Sequence, residues 1–274
     1  MIGQQNIKNI IKGQVENESF PRFSIIVGPY GSGKKQLCKY IATKLGATLR
    51  VCGTSVDAVR NMIAESYKVS IPILYLIPDA DTMSIAARNA LLKITEEPPK
   101  TAYFIMTLTD INNTLPTLKS RASVFMVDTY SVPELDEYID VKTNYAVSKE
   151  VRSILIDLCE NPGEINYLLD IDTEKFYDYV LLVVDKIAEV SGTNSFKIGS
   201  KIKFKEADTG YDLRMFLKAF SVECSRRLLD NVERYSYGVF VTAKYIQDLR
   251  NKSINKQFTF DLWMLDIRRG WLKQ

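Results

Sequence analysis

Apolar and polar positions change rhythm once along this chain, near Thr129. Before that point, short apolar runs alternate with amphipathic stretches. The runs are FSIIVG at 23–28, LRVCG at 49–53, ILYLI at 73–77, AYFIMTL at 102–108 and SVFMVD at 123–128. Such runs suit strands buried on both faces of a parallel sheet. Between them KKQLCKYIATKL, VDAVRNMIAESYK and IAARNALLKITEE carry the helical period, the last stopped by Pro98-Pro99. Residues 1–20 predict a short amphipathic helix with Ile2, Ile7, Ile10 and Ile11 on or near one face. The alternation predicts a parallel α/β sheet covered by helices on both faces.

From residue 130 onward the period is almost wholly helical. Turn-rich interruptions fall at ENPGE (160–164), SGTNSFKIGSK (191–201) and NKSINKQF (251–258). The pattern divides the chain into an α/β part over 1–129, a small helical part over 130–172 and a C-terminal helical part over 173–274. Leu213, Phe216, Leu217 and Phe220 recur at i, i+3, i+4 and i+7 and predict one packing stripe, whose partner lies either within the chain or in another subunit. Tyr167, Phe176, Tyr177 and Tyr179 are read as core rather than as platforms for nucleic-acid bases.

One motif carries chemistry. GPYGSGKK joins a predicted buried strand to a predicted helix and matches G-x-x-x-x-G-K through Gly28, Gly33 and Lys34. Glycines turn backbone N–H groups toward phosphate oxygens, the helix N-terminus adds a favourable dipole, and Lys34 supplies a point charge. The candidate nucleotide-binding set is Gly28, Tyr30, Gly31, Ser32, Gly33, Lys34 and Lys35. Where the motif needs a Ser or Thr hydroxyl for magnesium, Lys35 stands and would repel the ion. A second acidic motif is expected at the end of ILYLI, where an Asp and a Glu would serve metal and water. Here Pro78 and Asp79 fill those places, and Asp81 is read as a helix N-cap or surface residue. Two altered magnesium positions together argue against hydrolysis.

Composition adds exclusions. With no histidine among 274 residues, His-based triads are ruled out. Cys38, Cys52, Cys159 and Cys224 match no zinc spacing, so no metal site is expected. A net charge of +3 does not by itself imply nucleic acid. No apolar run approaches the ~20 residues a membrane helix needs, and the polar start lacks a secretory core, so the expected location is cytoplasmic and no membrane partner is expected.

NALLKITEEPP (89–99), followed by Leu115-Pro116 and Ser120-Arg121-Ala122, resembles the delta-prime and gamma/tau subunits of bacterial DNA polymerase III clamp loaders. The resemblance is strong over about residues 20–130 and thinner beyond, although FTFDLWMLDIRRGW is similar to the family's last collar helix. It implies an AAA+ P-loop domain, a helical lid domain and a C-terminal collar domain over the three parts above. Arg121 matches the family's arginine of the S-R-C motif, which reaches a neighbouring subunit's ATP; Ala122 replaces the Cys. Thr109, or Leu108 one residue earlier, matches the polar sensor position. Glu164 stands where the family's second-domain turn has a phosphate-sensing arginine. The short interval between the nucleotide motifs lacks the family's four-cysteine zinc module and points to a divergent relative, phage-like or from a mobile element.

The resemblance therefore implies a delta-prime-like clamp-loader subunit that is hydrolysis-deficient and binds ATP or ADP weakly if at all, with impaired magnesium binding. Its expected partners are other AAA+ loader subunits and, through the assembly, a sliding clamp and primed DNA, with Lys68, Arg88, Lys93 and Lys100 as candidate backbone contacts. The alternatives are an active ATPase of the same architecture and a nucleotide-sensing AAA+ adaptor outside replication.

Overall fold

The computed structural model describes residues 2–188, 202, 204, 210–249 and 255–273. The chain divides into two compact units, one formed by Met1–Tyr145 with Glu160–Ile165, the other by Ala146–Cys159 with Asn166–Gln274.

The first unit is built on β1 (Phe23–Val27), β2 (Thr48–Val51), β3 (Ile73–Ile77), β4 (Ala102–Leu108) and β5 (Ser123–Met126). All pair in parallel, in the order β2-β3-β4-β1-β5. Every residue of β1 and β3 is buried, as their uninterrupted apolar runs require, whereas β2 and β5 form the exposed edges. Alternate side chains serve opposite faces. Phe23, Ile25, Tyr75, Phe104 and Met106 pack with Val59 and Met62 of α3 (Val56–Ser66), Ala87 of α4 (Ile85–Ala90) and Ile94 of α5 (Leu92–Glu96). Ile26, Leu74, Leu76, Ile105 and Phe125 pack with Ile7 and Ile11 of α1 (Gln5–Glu16) and Leu37, Cys38 and Ile41 of α2 (Lys34–Lys44).

Three local expectations need correction. Ile10 is 52% exposed and Ile2 precedes the helix, so the buried stripe of α1 is Ile7 and Ile11. The predicted helix over 85–97 is interrupted at Leu91, whose N–H donates to the Arg88 carbonyl three residues back, a local 3-10 tightening. Near the C-terminus the turn-like stretch gives way early, because the Asn255 side chain accepts from Phe258 N–H and caps α13 (Lys256–Trp271). The predicted connection over 191–201 lies outside the described residues.

α6 (Pro116–Lys119) precedes β5 and α7 (Val132–Thr143) follows it, both in the first unit. The second unit contains α8 (Lys149–Leu158), α10 (Thr173–Lys186), α11 (Leu213–Arg226), α12 (Val232–Asp248) and α13. α9 (Pro162–Leu169) begins in the first unit and ends in the second. The stripe Leu213, Phe216, Leu217 and Phe220 is buried within the chain. Phe216 meets Phe176 and Phe260 edge-on at 5.9 and 5.5 Å, and Phe220 meets Trp263 at 4.6 Å. The Trp263 indole N–H donates to Thr242 Oγ1 at 3.0 Å, so this buried ring keeps its hydrogen bond. The stripe's partners are thus α10 and α13 of the same chain.

Cys38, Cys159 and Cys224 are buried and Cys52 is half-buried. Burial pushes the Cys52 thiol up to about 11, and those of Cys38 and Cys224 up to about 12. Ellman's reagent at mildly alkaline pH is therefore expected to modify Cys52 first and slowly, and the buried thiols only after denaturant is added. Rapid modification of all four cysteines in the native chain would contradict this packing.

Candidate functional site

Chemistry collects at the carboxyl ends of the parallel strands, where ligands of such sheets are held. β1 runs into the glycine loop, β3 into Pro78-Asp79, β4 into Thr109 and β5 into Asp128.

The loop leads into α2 through Gly33, whose φ of 87° only glycine adopts without strain, and no side chain caps the helix. The N-terminal N–H groups of α2 remain suited to an anion. The side chains expected to assist them are engaged elsewhere. Lys34 Nζ donates to the Gly28 and Pro29 carbonyls at 2.6 and 2.8 Å, and lies 5.6 Å from the Tyr30 ring centroid. Its residue is only 7% exposed. Burial lowers the Lys34 ammonium's pKa, opposed by the charges of Asp79 and Asp81. Ser32 Oγ donates to the Pro29 carbonyl at 2.8 Å. Tyr30 and Lys35 are exposed.

Two anchors of this loop escaped the reading of the sequence. The Tyr130 hydroxyl donates to the Ser32 carbonyl at 3.0 Å. Upstream of it, Gln4 is 3% exposed, and its amide both donates to the Asp128 carbonyl and accepts from Asp128 N–H, each at 2.8 Å. Gln4 thus pairs with backbone beyond the end of β5 as a strand would. The available signal was the glycine before it, Gly3, at φ 70°.

The acidic motif behaves differently from expectation. Asp79 is half-buried at φ 49°, and its N–H donates to Thr107 Oγ1 at 3.0 Å. It also occupies the N-cap position of the short 3-10 turn Ala80–Thr82. Asp81 is neither an N-cap nor a plain surface residue. Its carboxylate accepts from Thr109 N–H at 2.9 Å, Thr109 Oγ1 at 2.9 Å and Asn113 Nδ2 at 3.0 Å. Burial opposes ionisation, but hydrogen bonds from Asn113 and Thr109 outweigh it and hold the carboxyl below its ordinary range. Of the two sensor positions, Leu108 is fully buried in the core and Thr109 faces the polar end, where its hydroxyl is engaged by Asp81.

Asp81→Ala is expected to destabilise the chain by about 2 kcal/mol, since it removes charge-assisted bonds and leaves half-buried donors without an acceptor. Urea unfolding measures this. Asp79→Ala, which removes no such set, serves as the control, and equal losses in the two would refute the assignment.

Magnesium takes oxygen ligands in near-octahedral geometry. Lys35 and Pro78 present no side-chain oxygen here, and among the described residues the Asp79 carboxylate accepts no hydrogen bond, unlike that of Asp81. Of these three positions Asp79 alone carries a side-chain oxygen.

Arg121 follows α6. Its Nη2 donates to Glu96 Oε1 at 2.6 Å and Nη1 to the Thr117 carbonyl at 2.8 Å. The Arg121 and Glu96 side chains are 35% and 53% exposed, so this is a surface pair. Among the candidate basic contacts, Lys68, Lys93 and Lys100 are exposed, while Arg88 is half-buried and donates to the Asp81 carbonyl.

Glu164 sits in the first turn of α9 and accepts from Glu160 N–H at 2.8 Å. Asn161, 4% exposed, accepts from Gly163 and Glu164 N–H at 3.0 and 3.1 Å and caps the helix. Gly163 N–H also points to the Gly31 carbonyl at 3.0 Å. The turn before α9 therefore sits on the glycine loop.

The family model described as DNA polymerase III, delta subunit, matches residues 51–131. The probable replication factor C subunit 5 of Dictyostelium discoideum is 26% identical over 178 residues, covering 58% of this chain and 51% of that protein. The DNA polymerase III gamma/tau subunit of Mycobacterium tuberculosis is 24% identical, covering 44% of this chain and 27% of that protein. Over these residues the chain is similar to clamp-loader subunits. It spans about half, or less, of the length of these curated relatives. Solved structures show the same fold. A DNA polymerase III gamma subunit-related protein of Thermotoga maritima superposes with a TM-score of 0.52 at 16% identity, over 97% of this chain and 99% of that one. The Thermotoga maritima RuvB Holliday junction branch migration motor gives 0.54 at 18%, over 82% and 78%. No helix among the described residues is long and apolar enough to cross a membrane.

Proposed function

We propose that this clamp-loader relative is a delta-prime-like subunit that does not turn over ATP itself and offers Arg121 to the nucleotide of a neighbouring AAA+ subunit. The observation carrying this reading is that its own site is committed internally: Lys34 is bound to the carbonyls of Gly28 and Pro29, and Thr109 to Asp81. Lys35 and Pro78 deepen the loss, because neither supplies a magnesium ligand. Arg121, in contrast, is held by an exposed carboxylate pair worth roughly 0.2–1 kcal/mol and by the carbonyl of Thr117 one helical turn before it, so release toward a partner's phosphate costs little. An arginine placed against a transferring phosphoryl group stabilises its developing charge. The partners are other loader subunits in a cytoplasmic replication assembly, acting through it on a sliding clamp and primed DNA.

The test is turnover. The isolated chain should show no ATPase activity above a Lys34→Ala control. Mixed with an ATP-hydrolysing loader subunit, it should support DNA- and clamp-stimulated turnover that depends on Arg121. Robust hydrolysis by the chain alone, lost in Lys34→Ala, would overturn this reading in favour of an active ATPase.

A further inference from the structure

The glycine loop is in contact with a segment far away in sequence. Gly31 has a φ of 80°, and its carbonyl accepts from Gly163 N–H at 3.0 Å. The two glycine backbones are so close that a Cβ on Gly31 would stand 2.7 Å from the Gly163 Cα, and one on Gly163 would stand 3.1 Å from the Gly31 carbonyl carbon. Backbone meets backbone here, so neither side has a flexible group to move aside. Asn161 fixes the turn from behind, with Oδ1 held by the N–H groups of Gly163 and Glu164. Pro162, at the first position of α9, fixes the approach of the chain. All of these residues belong to the first unit.

We propose that Gly31 and Gly163 form a backbone clasp that holds the phosphate loop in a self-satisfied form, and that the clasp opposes binding of a nucleotide's phosphates. Within that form both side chains suited to a phosphate already have partners in the loop, and the N–H groups at the start of α2 are the part left for an anion. The Lys34 ammonium lies on the Gly28 and Pro29 carbonyls, and the Ser32 hydroxyl lies on Pro29. Binding a polyphosphate requires Lys34 to leave two carbonyls and the loop to turn its N–H groups around new oxygens. The Gly163 contact and the Tyr130 bond to the Ser32 carbonyl tie the loop at adjacent residues and resist that change. The occupant of the loop is thus the chain's own turn, and nucleotide gains access only by parting it.

The proposal is separate from the role of Arg121 and is tested on the full chain alone. Mant-ATP and inorganic pyrophosphate serve as probes, with and without magnesium. Gly163→Ala places a methyl group against the Gly31 backbone and should tighten binding of either probe at least 10-fold over the wild-type chain. Adding Lys34→Ala should remove that gain. Asn161→Ala, which removes the cap and leaves both glycines, should give a smaller gain in the same direction and serves if Gly163→Ala fails to fold. A folded variant with no gain overturns the clasp, as does wild-type binding as tight as that of the variants. Amide exchange gives an independent reading: Gly163 N–H should be protected in the free chain and lose protection as pyrophosphate saturates. Pyrophosphate binding that leaves this protection unchanged also overturns the proposal.

Discussion

In an assembly reconstituted with an ATP-hydrolysing loader subunit, Arg121→Ala is expected to lower turnover at the nucleotide site it faces by about 10³-fold, with assembly retained. The size follows from what an arginine supplies in trans: a fixed, planar charge with paired donors on phosphoryl oxygens. Arg121→Lys should recover only a small part, because an ammonium lacks the paired geometry. The structure provides the control. Glu96→Ala removes the carboxylate paired with Arg121, leaves its bond to the Thr117 carbonyl, and should leave turnover intact or slightly raised. If Arg121 were only a surface ion pair, Arg121→Ala and Glu96→Ala would behave alike, each shifting stability by less than about 1 kcal/mol with no effect on turnover. Steady-state ATPase rates and size-exclusion profiles of the variants decide between these outcomes.

How far this arrangement can be read from sequence depends on the distance over which each feature is determined. The inner strands of the sheet were legible because each is a local apolar run, and a parallel sheet buries such runs on both faces. The glycine loop was legible for the same reason, since Gly28, Gly33 and Lys34 lie within one turn of chain. That Lys35 and Pro78 carry no side-chain oxygen is likewise visible in the sequence alone. The pairing of Asp81 with Thr109 spans 28 residues and exists because β3 and β4 are neighbours in register, Ile77 beside Met106. Nothing near Asp81 distinguishes it from a surface carboxylate. Gly31 and Gly163 are further apart still, and their contact depends on how the chain returns from α8. Glu164 shows how one position supports two accounts. As a replacement for a sensing arginine it signals loss, and in the fold it is the acid that closes the first turn of α9 onto Glu160 N–H. The pattern Asn161-Pro162-x-Glu164 was a local signature of that helix start.

The stripe on α11 teaches a related point. Its period showed which face is buried, and the identity of the partner came only from the rings of Phe176, Phe260 and Trp263 closing on it. On the same helix, Glu223 gave no periodic signal at all, yet it organises a charge network across the second unit. Its side chain is 8% exposed. Oε2 accepts from the Tyr177 hydroxyl at 2.7 Å, and Oε1 from Arg227 Nε at 2.7 Å. Arg226 reaches Tyr177 Oη and continues to Asp157 on α8, while Arg227 continues to Asp185 on α10. Glu223 therefore ties α11 to α10 through Tyr177, and through Arg226 the network extends to α8.

Glu223→Ala is expected to destabilise the second unit by about 3 kcal/mol. Removing one member of a buried ion pair leaves its partners' charge and hydroxyl poorly compensated, a loss of roughly 3–5 kcal/mol. The lower end applies here because Arg226 and Arg227 keep the more exposed carboxylates of Asp157 and Asp185. Glu223→Gln keeps the volume and an acceptor for Tyr177, so it should lose less than Glu223→Ala, and the difference between them isolates the charge. Burial raises the carboxyl's affinity for a proton, but the bonds from Tyr177 and Arg227 and the charges of the two arginines outweigh it and hold the Glu223 pKa below its ordinary value. A carboxyl so lowered contributes stability that is present above its unfolded pKa and is lost as pH falls through its native one. The wild-type chain should therefore lose stability on acidification through the carboxylate range, and Glu223→Gln should lose less over the same interval. Urea unfolding at neutral pH and at acid pH measures both effects. A Glu223→Ala loss below about 1 kcal/mol, or identical acid sensitivity in wild type and Glu223→Gln, would show that the arginines hold these helices together through Asp157 and Asp185 alone.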